Sequence, residues 1–558
     1  MRHPGAVPDH ASRAVPRGGR VTRGHESSLR PKKPIRRSPD GGLSPCLLDR
    51  SDDGVRHRPN TGDSVPTSSR LTRFGLALTA AGTLVVPALL ASAVPASAGA
   101  SEGPSTTVPV VAPEGRTMSY VVNVAKVNHG QMQKAERAVA AAGGTVVQRY
   151  EEIGVLVVQS TRSSFLPTLR AGAKGTIESA GPTRTVPVSE APGAGVGRPV
   201  PPGHRKLATF EGMYTGSPSA PAAGLDPMEP DQWNNRLIKA DKAHEITDGD
   251  RKVTVAIVDS GIEPNHPDLQ ENIVPALSVN CTMGGVPQPT GWEATTSSHG
   301  THVAGTVAAA RNGAGIVGVA PAVKLASVKV VNGDGMIYPE YALCGIMWTA
   351  KKQIPVANHS YFVDPFQFWC GDQPDQAPVL EAMRRAYAFA DRRGVVSAAA
   401  AGNSAYDLAH KTTDEESPND STPVTRTVNT TCHDIPTELP GVVTVSAIDA
   451  ESNLASFSNY GEGVIDVAAP GRRILSTYQG QRWANLSGTS MASPHVAGVL
   501  ALLKGTHPDA TPAQLVSLLK TQADDHACPA GDARCTGTAD DNAFYGEGVV
   551  DALDAVRR

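Results

Sequence analysis

Over residues 119–127 (SYVVNVAKV) apolar and polar positions alternate with the period of a half-buried strand, and over 131–142 the spacing changes to that of a helix, stopped by Gly143-Gly144. Strand patterns follow at 145–150 and 154–159, a short helix at 163–170 and a last strand at 176–179. Together they predict a small β-α-β-β-α-β unit. From about Val186 to Asp226 periodicity gives way to Pro, Gly and Ala, the composition of an exposed linker open to proteolysis. Beyond it, 253–258 (VTVAIV) and 395–399 (VVSAA) are continuous apolar runs of the kind buried on both faces of a parallel sheet. Apolar helical patterns at 303–310, 343–350, 380–391 and 496–503 are interspersed with them, and a further helix is predicted at 512–521. Strands alternating with helices imply an α/β domain: a doubly wound, mainly parallel sheet with helices on both faces. No internal repeat interrupts it.

The N-terminal region reads differently. Residues 75–91 form an uncharged, mostly apolar stretch preceded by Arg70 and Arg73 and followed by Ala96-Ser97-Ala98, which has the small-x-small form of a cleavage site. The region 75–98 therefore reads as the core and cleavage region of an export signal. A membrane anchor is the competing reading, but Pro87 and a run short of the ~20 apolar residues needed to span speak against it. Residues 1–74 carry 15 Lys+Arg against 7 Asp+Glu with no apolar periodicity, and read as a disordered or mis-called leader. The expected organisation is thus 1–74 leader, 75–98 signal, 99–186 small unit, 187–226 linker and 227–558 main domain.

Charge and cysteine content fit an exported body. The whole chain carries −3, yet the first 74 residues contribute +8, leaving −11 for the rest. An acidic body argues against a nucleic-acid partner. Of seven cysteines, Cys46 precedes the signal; Cys281, Cys344, Cys370, Cys432, Cys528 and Cys535 remain, an even number that suggests disulfides. Only Cys528 with Cys535 is suggested by proximity. Zinc is disfavoured because no Cys-x-x-Cys occurs.

Four residues stand where chemistry would be placed. Ser490, in LSGTSMASPHVAG, lies at the mouth of an apolar helix, where its own backbone N–H and the helix dipole would favour an anion. Asp259 closes the buried strand AIVDSG, at the carboxyl end where ligands gather in open α/β sheets; an acidic cap or turn residue is the plainer alternative. His299, in SHGTHVAGT, opens a helix of small residues, and Asn403 ends AAAGNS just after another buried strand, where its amide could donate to an oxyanion. His302 and His495 read as buried structural histidines, and Ser487 and Ser493 as capping or packing residues. His299 and His302 lack the His-Glu-x-x-His pattern and a third ligand that zinc would need.

In the order Asp, His, Ser, the motifs VAIVDSGIEPNHPDL, SHGTHVAGTVAA and GTSMASPHVAGVLALL resemble those of the subtilisin-like serine proteases, over about Asp226 to the C-terminus. The resemblance implies that Ser490 attacks a peptide carbonyl, His299 shuttles the proton, Asp259 holds the imidazole and Asn403 stabilises the oxyanion. It also implies that the small unit is an inhibitor-like prodomain cut away within the window 203–225; a permanent substrate-recruiting domain is the alternative. Expected substrate-binding positions are Ser360, Tyr361, Gly333 and Gly402. The family's Ser-Leu-Gly strand is here Ser360-Tyr361-Phe362, and Phe366, Phe368, Trp369 and Cys370 follow, either packing a disulfide-tied loop or walling the specificity pocket. The chemistry requires no cofactor; structural calcium is an expectation on Asp268, Asn312 and Asp226. The partners implied are protein or peptide substrates and the chain's own prodomain, with no nucleic acid and no lasting membrane anchor, in a secreted, monomeric endopeptidase made as a zymogen. A secreted non-catalytic binding protein on the same fold is the rival. A lipase is excluded by the triad order and the missing Gly-x-Ser-x-Gly elbow.

Overall fold

The computed structural model describes residues 103–188, 208–216 and 224–557. The leader and signal expectations lie outside the described residues.

The small unit forms β1 (Met118–Val124), α1 (His129–Ala141), β2 (Thr145–Tyr150), β3 (Val155–Ser160), α2 (Phe165–Gly172) and β4 (Ile177–Pro182). Its antiparallel sheet has the order β2-β3-β1-β4. The two faces of β1 divide the work, as period-2 geometry requires. Tyr120, Val122 and Val124 pack under α1 and α2 with Phe165 and Leu169. Val121 points the other way, and with Val155, Val157, Tyr150 and Ile153 it joins the core of the main domain. Burial of each such side chain is worth ~1.5–3 kcal/mol before the cost of ordering the partners.

Within the expected linker the structure holds a strand that periodicity does not reveal, β5 (Thr209–Met213). Short helices α3 (Trp233–Leu237) and α4 (Ala240–His244) lead to β6 (Thr254–Asp259) and β7 (Val279–Asn280). Then come α5 (His299–Ala308), β8 (Lys324–Lys329), α6 (Pro339–Lys351), β9 (Val356–His359), β10 (Trp369–Cys370), α7 (Ala377–Arg392) and β11 (Val396–Ala400). Three two-residue strands follow, β12 (Thr413–Asp414), β13 (Arg426–Thr427) and β14 (Cys432–His433), and then β15 (Val442–Ile448) and β16 (Val467–Pro470). The hairpin β17 (Ile474–Tyr478) and β18 (Arg482–Ser487) feeds α8 (Thr489–Thr506), and α9 (Pro512–Thr521) lies beyond.

Seven strands make one parallel sheet in the order β16-β15-β11-β9-β6-β8-β7. Val255 and Ile257 of β6 face a core shared with α5 and α8, whereas Ala256 and Val258 face one shared with α6 and α7. That two-sided burial is why the strand reads as an unbroken apolar run. The chain first builds outward from β6 toward β8 and β7, then returns to lay β9 on its other side. The resulting switch point puts the carboxyl end of β6, and therefore Asp259, at the mouth of a crevice.

Disulfides join Cys281 to Cys344, Cys370 to Cys432 and Cys528 to Cys535. The first two close loops of about sixty residues that no local signal in the sequence pairs. Among the described residues no helix is long and apolar enough to cross a membrane.

Candidate active site

Asp259 ends β6 and His299 begins α5. The imidazole Nδ1 lies 2.9 and 3.0 Å from the two carboxylate oxygens, with both residues buried. The carboxylate is itself fixed by the Ser260 amide, 2.6 Å from Oδ1. Such close approach depends on Gly300: a Cβ there would stand 3.0 Å from Asp259 Oδ1 and press on the backbone of Gly261. Among the described residues nothing hydrogen-bonds His299 Nε2, which is buried.

The helix α5 packs on α8, whose first turn carries Ser490. The Ser490 hydroxyl donates to the Ser360 carbonyl at 3.2 Å, and the Ser360 hydroxyl donates to the Ser490 carbonyl at 2.9 Å. Asn403 Oδ1 accepts from the Thr489 amide at 2.8 Å and the Thr489 hydroxyl at 2.9 Å, so the side-chain amide is anchored by its oxygen beside the nucleophile position. Gly402 holds φ +102, and a Cβ there would collide with Asn459. With Ser490, Asn403 and Thr489 it lines a cleft.

The other residues singled out in the sequence fall at defined places around this arrangement. His302 Nε2 lies 3.0 and 3.1 Å from the carbonyls of Ile474 and Ala484, and His495 joins Met491 O to the side chain of Asn234; burial lowers their pKa values to about 3 and about 4. Both are neutral structural groups. Ser487 binds Glu211 of β5, and Ser493 binds Asn358. Tyr361 and Gly402 line the cleft and Ser360 is buried against Ser490, whereas Gly333 lies in an exposed turn that Asn332 organises by accepting from the amides of Asp334 and Met336. Of the two readings of the aromatic run, the packed loop is the one the burial favours. Phe366, Phe368, Trp369 and Cys370 are buried in the disulfide-tied loop, where the buried Arg426 sits 4.9 Å from the Phe366 ring and pairs with Asp414. The cleft wall comes instead from Tyr361 and Phe362.

The expected calcium ligands are gathered but differently employed. Asp226 accepts from the amides of Asn312 and Gly313, and Asp268 Oδ2 accepts from the Ile316 amide and the Trp483 indole. Asn312 Oδ1 is taken by the Ala314 amide. These oxygens are thus already accepting N–H donors, where a hard cation would need six or more oxygens turned toward it. Burial raises the pKa of Asp268 to about 7, and its Oδ1 has no partner. The one His/Cys/Asp/Glu cluster of metal-binding spacing among the described residues, Cys370, Asp372 and Cys432, contains a disulfide.

Two features escape sequence reading. Asp434 and Gln367 reach the cleft from loops whose direction only the fold decides. Arg184, just past β4, is buried on the main domain, where it pairs with Glu340 and lies 3.6 Å from the centroid of the Tyr338 ring.

A family model described as the Subtilase family matches residues 250–548. Subtilisin BL of Lederbergia lenta is 34% identical over 328 residues, 58% of this chain and 98% of that protein. Subtilisin DY of Bacillus licheniformis is 32% identical over 323 residues, 58% of this chain and 97% of that protein. Among solved structures, fervidolysin of Fervidobacterium pennivorans, a keratinolytic enzyme related to subtilisin, superposes with a TM-score of 0.56 at 22% identity, over 81% of this chain and 65% of its own. The epidermin leader peptide processing serine protease of Staphylococcus aureus gives 0.57 at 21%, over 79% and 98%. The sheet with its switch point, the buried Asp-His pair and the serine at the mouth of α8 thus have a common origin: the chain belongs to the subtilase family of serine endopeptidases.

Proposed function

We propose that Ser490 is the nucleophile of a secreted endopeptidase made as a zymogen. The observation that carries this reading is the imidazole of His299, with Nδ1 on both oxygens of Asp259 and Nε2 buried without a partner. A side-chain rotation would bring the Ser490 hydroxyl from the Ser360 carbonyl to Nε2, and such bonds tighten when substrate arrives. Ser490 Oγ then attacks the scissile carbonyl as its proton passes to Nε2. Asp259 keeps Nδ1 protonated and stabilises the imidazolium. The oxyanion is held by the Ser490 amide and Asn403 Nδ2. The proton goes on to the leaving amine, and water, deprotonated by the same imidazole, releases the acyl group. No metal or cofactor enters any step.

The small unit is the inhibitor and folding partner of this enzyme, exported through the 75–98 signal and separated by a cut in the linker. Its apolar contribution to the core over α6 and α7, and the burial of Arg184, support the pairing. Three disulfides suit an oxidising compartment. The test is a fluorophosphonate probe on the processed protein: labelling that disappears in Ser490→Ala supports the reading, and an unlabelled wild type would favour the binding protein.

A further inference from the structure

The cleft beside Ser490 has an acidic floor. Asp434 is fully buried; its Oδ2 accepts from Gln367 Nε2 at 2.6 Å and its own amide donates to Glu438 at 2.7 Å, yet Oδ1 has no partner. Asp434 forms part of the cleft lining, and its Oδ2, the oxygen that Gln367 holds, stands 3.8 Å from where a Cβ on Gly402 would lie, next to Asn403. A second acid, Glu416, lines the same space, and none of the described lining residues is cationic. The nearest buried cations are committed elsewhere, Lys411 to Glu438 and Arg426 to Asp414. Burial, with the nearby charge of Glu438, drives the Asp434 pKa well up against the opposing pull of Lys411.

We propose that Asp434 is the specificity-determining residue of the pocket for the side chain preceding the scissile bond, and that it selects arginine or lysine there. A guanidinium or ammonium entering past Tyr361 and Phe362 gives Oδ1 a charge-assisted partner. An apolar side chain leaves a buried oxygen unpaired, the situation in which polar pockets discriminate most strongly.

A second observation points the same way. Arg205 and Lys206 are the only lysine or arginine residues in the window 203–225. Immediately downstream, β5 pairs with β18, Thr209 opposite Ser487, three positions before Ser490. From Thr209 on, the chain downstream of these two residues is therefore anchored to the strand that leads into α8 and Ser490, as the product side of a cut at these residues would be.

This inference rests on Ser490 being the nucleophile of this cleft, and the experiment separates the two. The full chain is expressed, processed and titrated with the fluorophosphonate, then assayed on peptides varied only at the residue before the scissile bond. Arg or Lys is expected to exceed Leu, Phe and Glu in kcat/KM by at least ~10²-fold. In Asp434→Asn, and independently in Asp434→Ser, that preference should collapse while cleavage after Leu or Phe is kept or raised; a purely structural role would depress all substrates alike. N-terminal sequencing should start the mature chain at Lys206 or Leu207. Labelled enzyme that cleaves equally well after Leu or Phe, or variants that lose all substrates in proportion, would overturn the inference and leave the nucleophile standing. Unlabelled enzyme would sink both.

Discussion

Ser360 and Ser490 hold each other through both polar ends, each hydroxyl donating to the other's carbonyl, at 2.9 and 3.2 Å. The reason lies one helical turn on. Residue 494 is proline, so the Ser490 carbonyl has no i+4 amide to accept from. Ser360 replaces that missing donor and ties the edge of the cleft to the nucleophile's backbone.

Ser360→Ala should therefore leave a buried carbonyl unsatisfied and release Asn358 Nδ2 as well. A stability loss of about 1–3 kcal/mol is expected, with reduced turnover. Thermal unfolding and kcat measured on one preparation check it; a variant unchanged in both would show the pairing to be idle.

Asn403→Ala removes the proposed side-chain oxyanion donor without touching the Asp259–His299 pair. Turnover should fall by about 10² to 10³ with KM little altered. Steady-state kinetics decide, and near-wild-type kcat would remove Asn403 from the mechanism.

The buried histidines set a pH dependence. Folding depresses His302 to about 3 and His495 to about 4, against 6.5 for the ordinary side chain. Below 6.5 the unfolded chain takes up protons that the folded one refuses. Stability is therefore full above about pH 6.5 and falls as pH drops toward 4. Melting temperatures of Ser490→Ala, which cannot digest itself, should follow that course, and replacing His495 by Gln should flatten it.

Asp268 runs in the opposite sense. Its folded value of about 7 keeps it protonated where the unfolded chain has ionised, so it costs stability progressively from about pH 4 to 7. Asp268→Asn should then gain on the parent protein over that range, and a chelator should leave the melting temperature unchanged. A chelator-induced drop together with a destabilised Asp268→Asn would instead place calcium there.

Arg184 and Glu340 form a buried pair across the small unit and main domain through Glu340 Oε1, and Oε2 has no partner among the described residues. Arg184→Ala in the unprocessed chain strands a buried carboxylate, at a cost of ~3–5 kcal/mol. Adding Glu340→Gln should restore much of the loss. Denaturant midpoints of the two variants provide the comparison, and equal losses would deny the pair any coupling.

What could be read in advance followed from local period or contiguous motif. The alternating run at Met118–Val124, the unbroken apolar Thr254–Asp259 and the triad motifs are properties of neighbours in sequence. What could not be read depends on partners brought from afar. Thr209–Met213 is a strand because β18 offers it an open edge, which is why its residues show no pattern of their own. Phe366 and Phe368 were legible as apolar, but whether they turn to the cleft or away from it was settled by the buried Arg426–Asp414 pair behind them. Asp434 looked like any acid in a loop until the Cys370–Cys432 bridge and β15 placed it under the cleft.

The grip on Arg184 has one more consequence. On the proposed reading, while the linker is whole the small unit is a tethered ligand whose local concentration at its docking face is on the order of millimolar, whatever the protein's own abundance. One cut abolishes that advantage. From then on occupancy depends on dilution, so a surface that holds its partner while the chain is whole would let go of it in dilute solution.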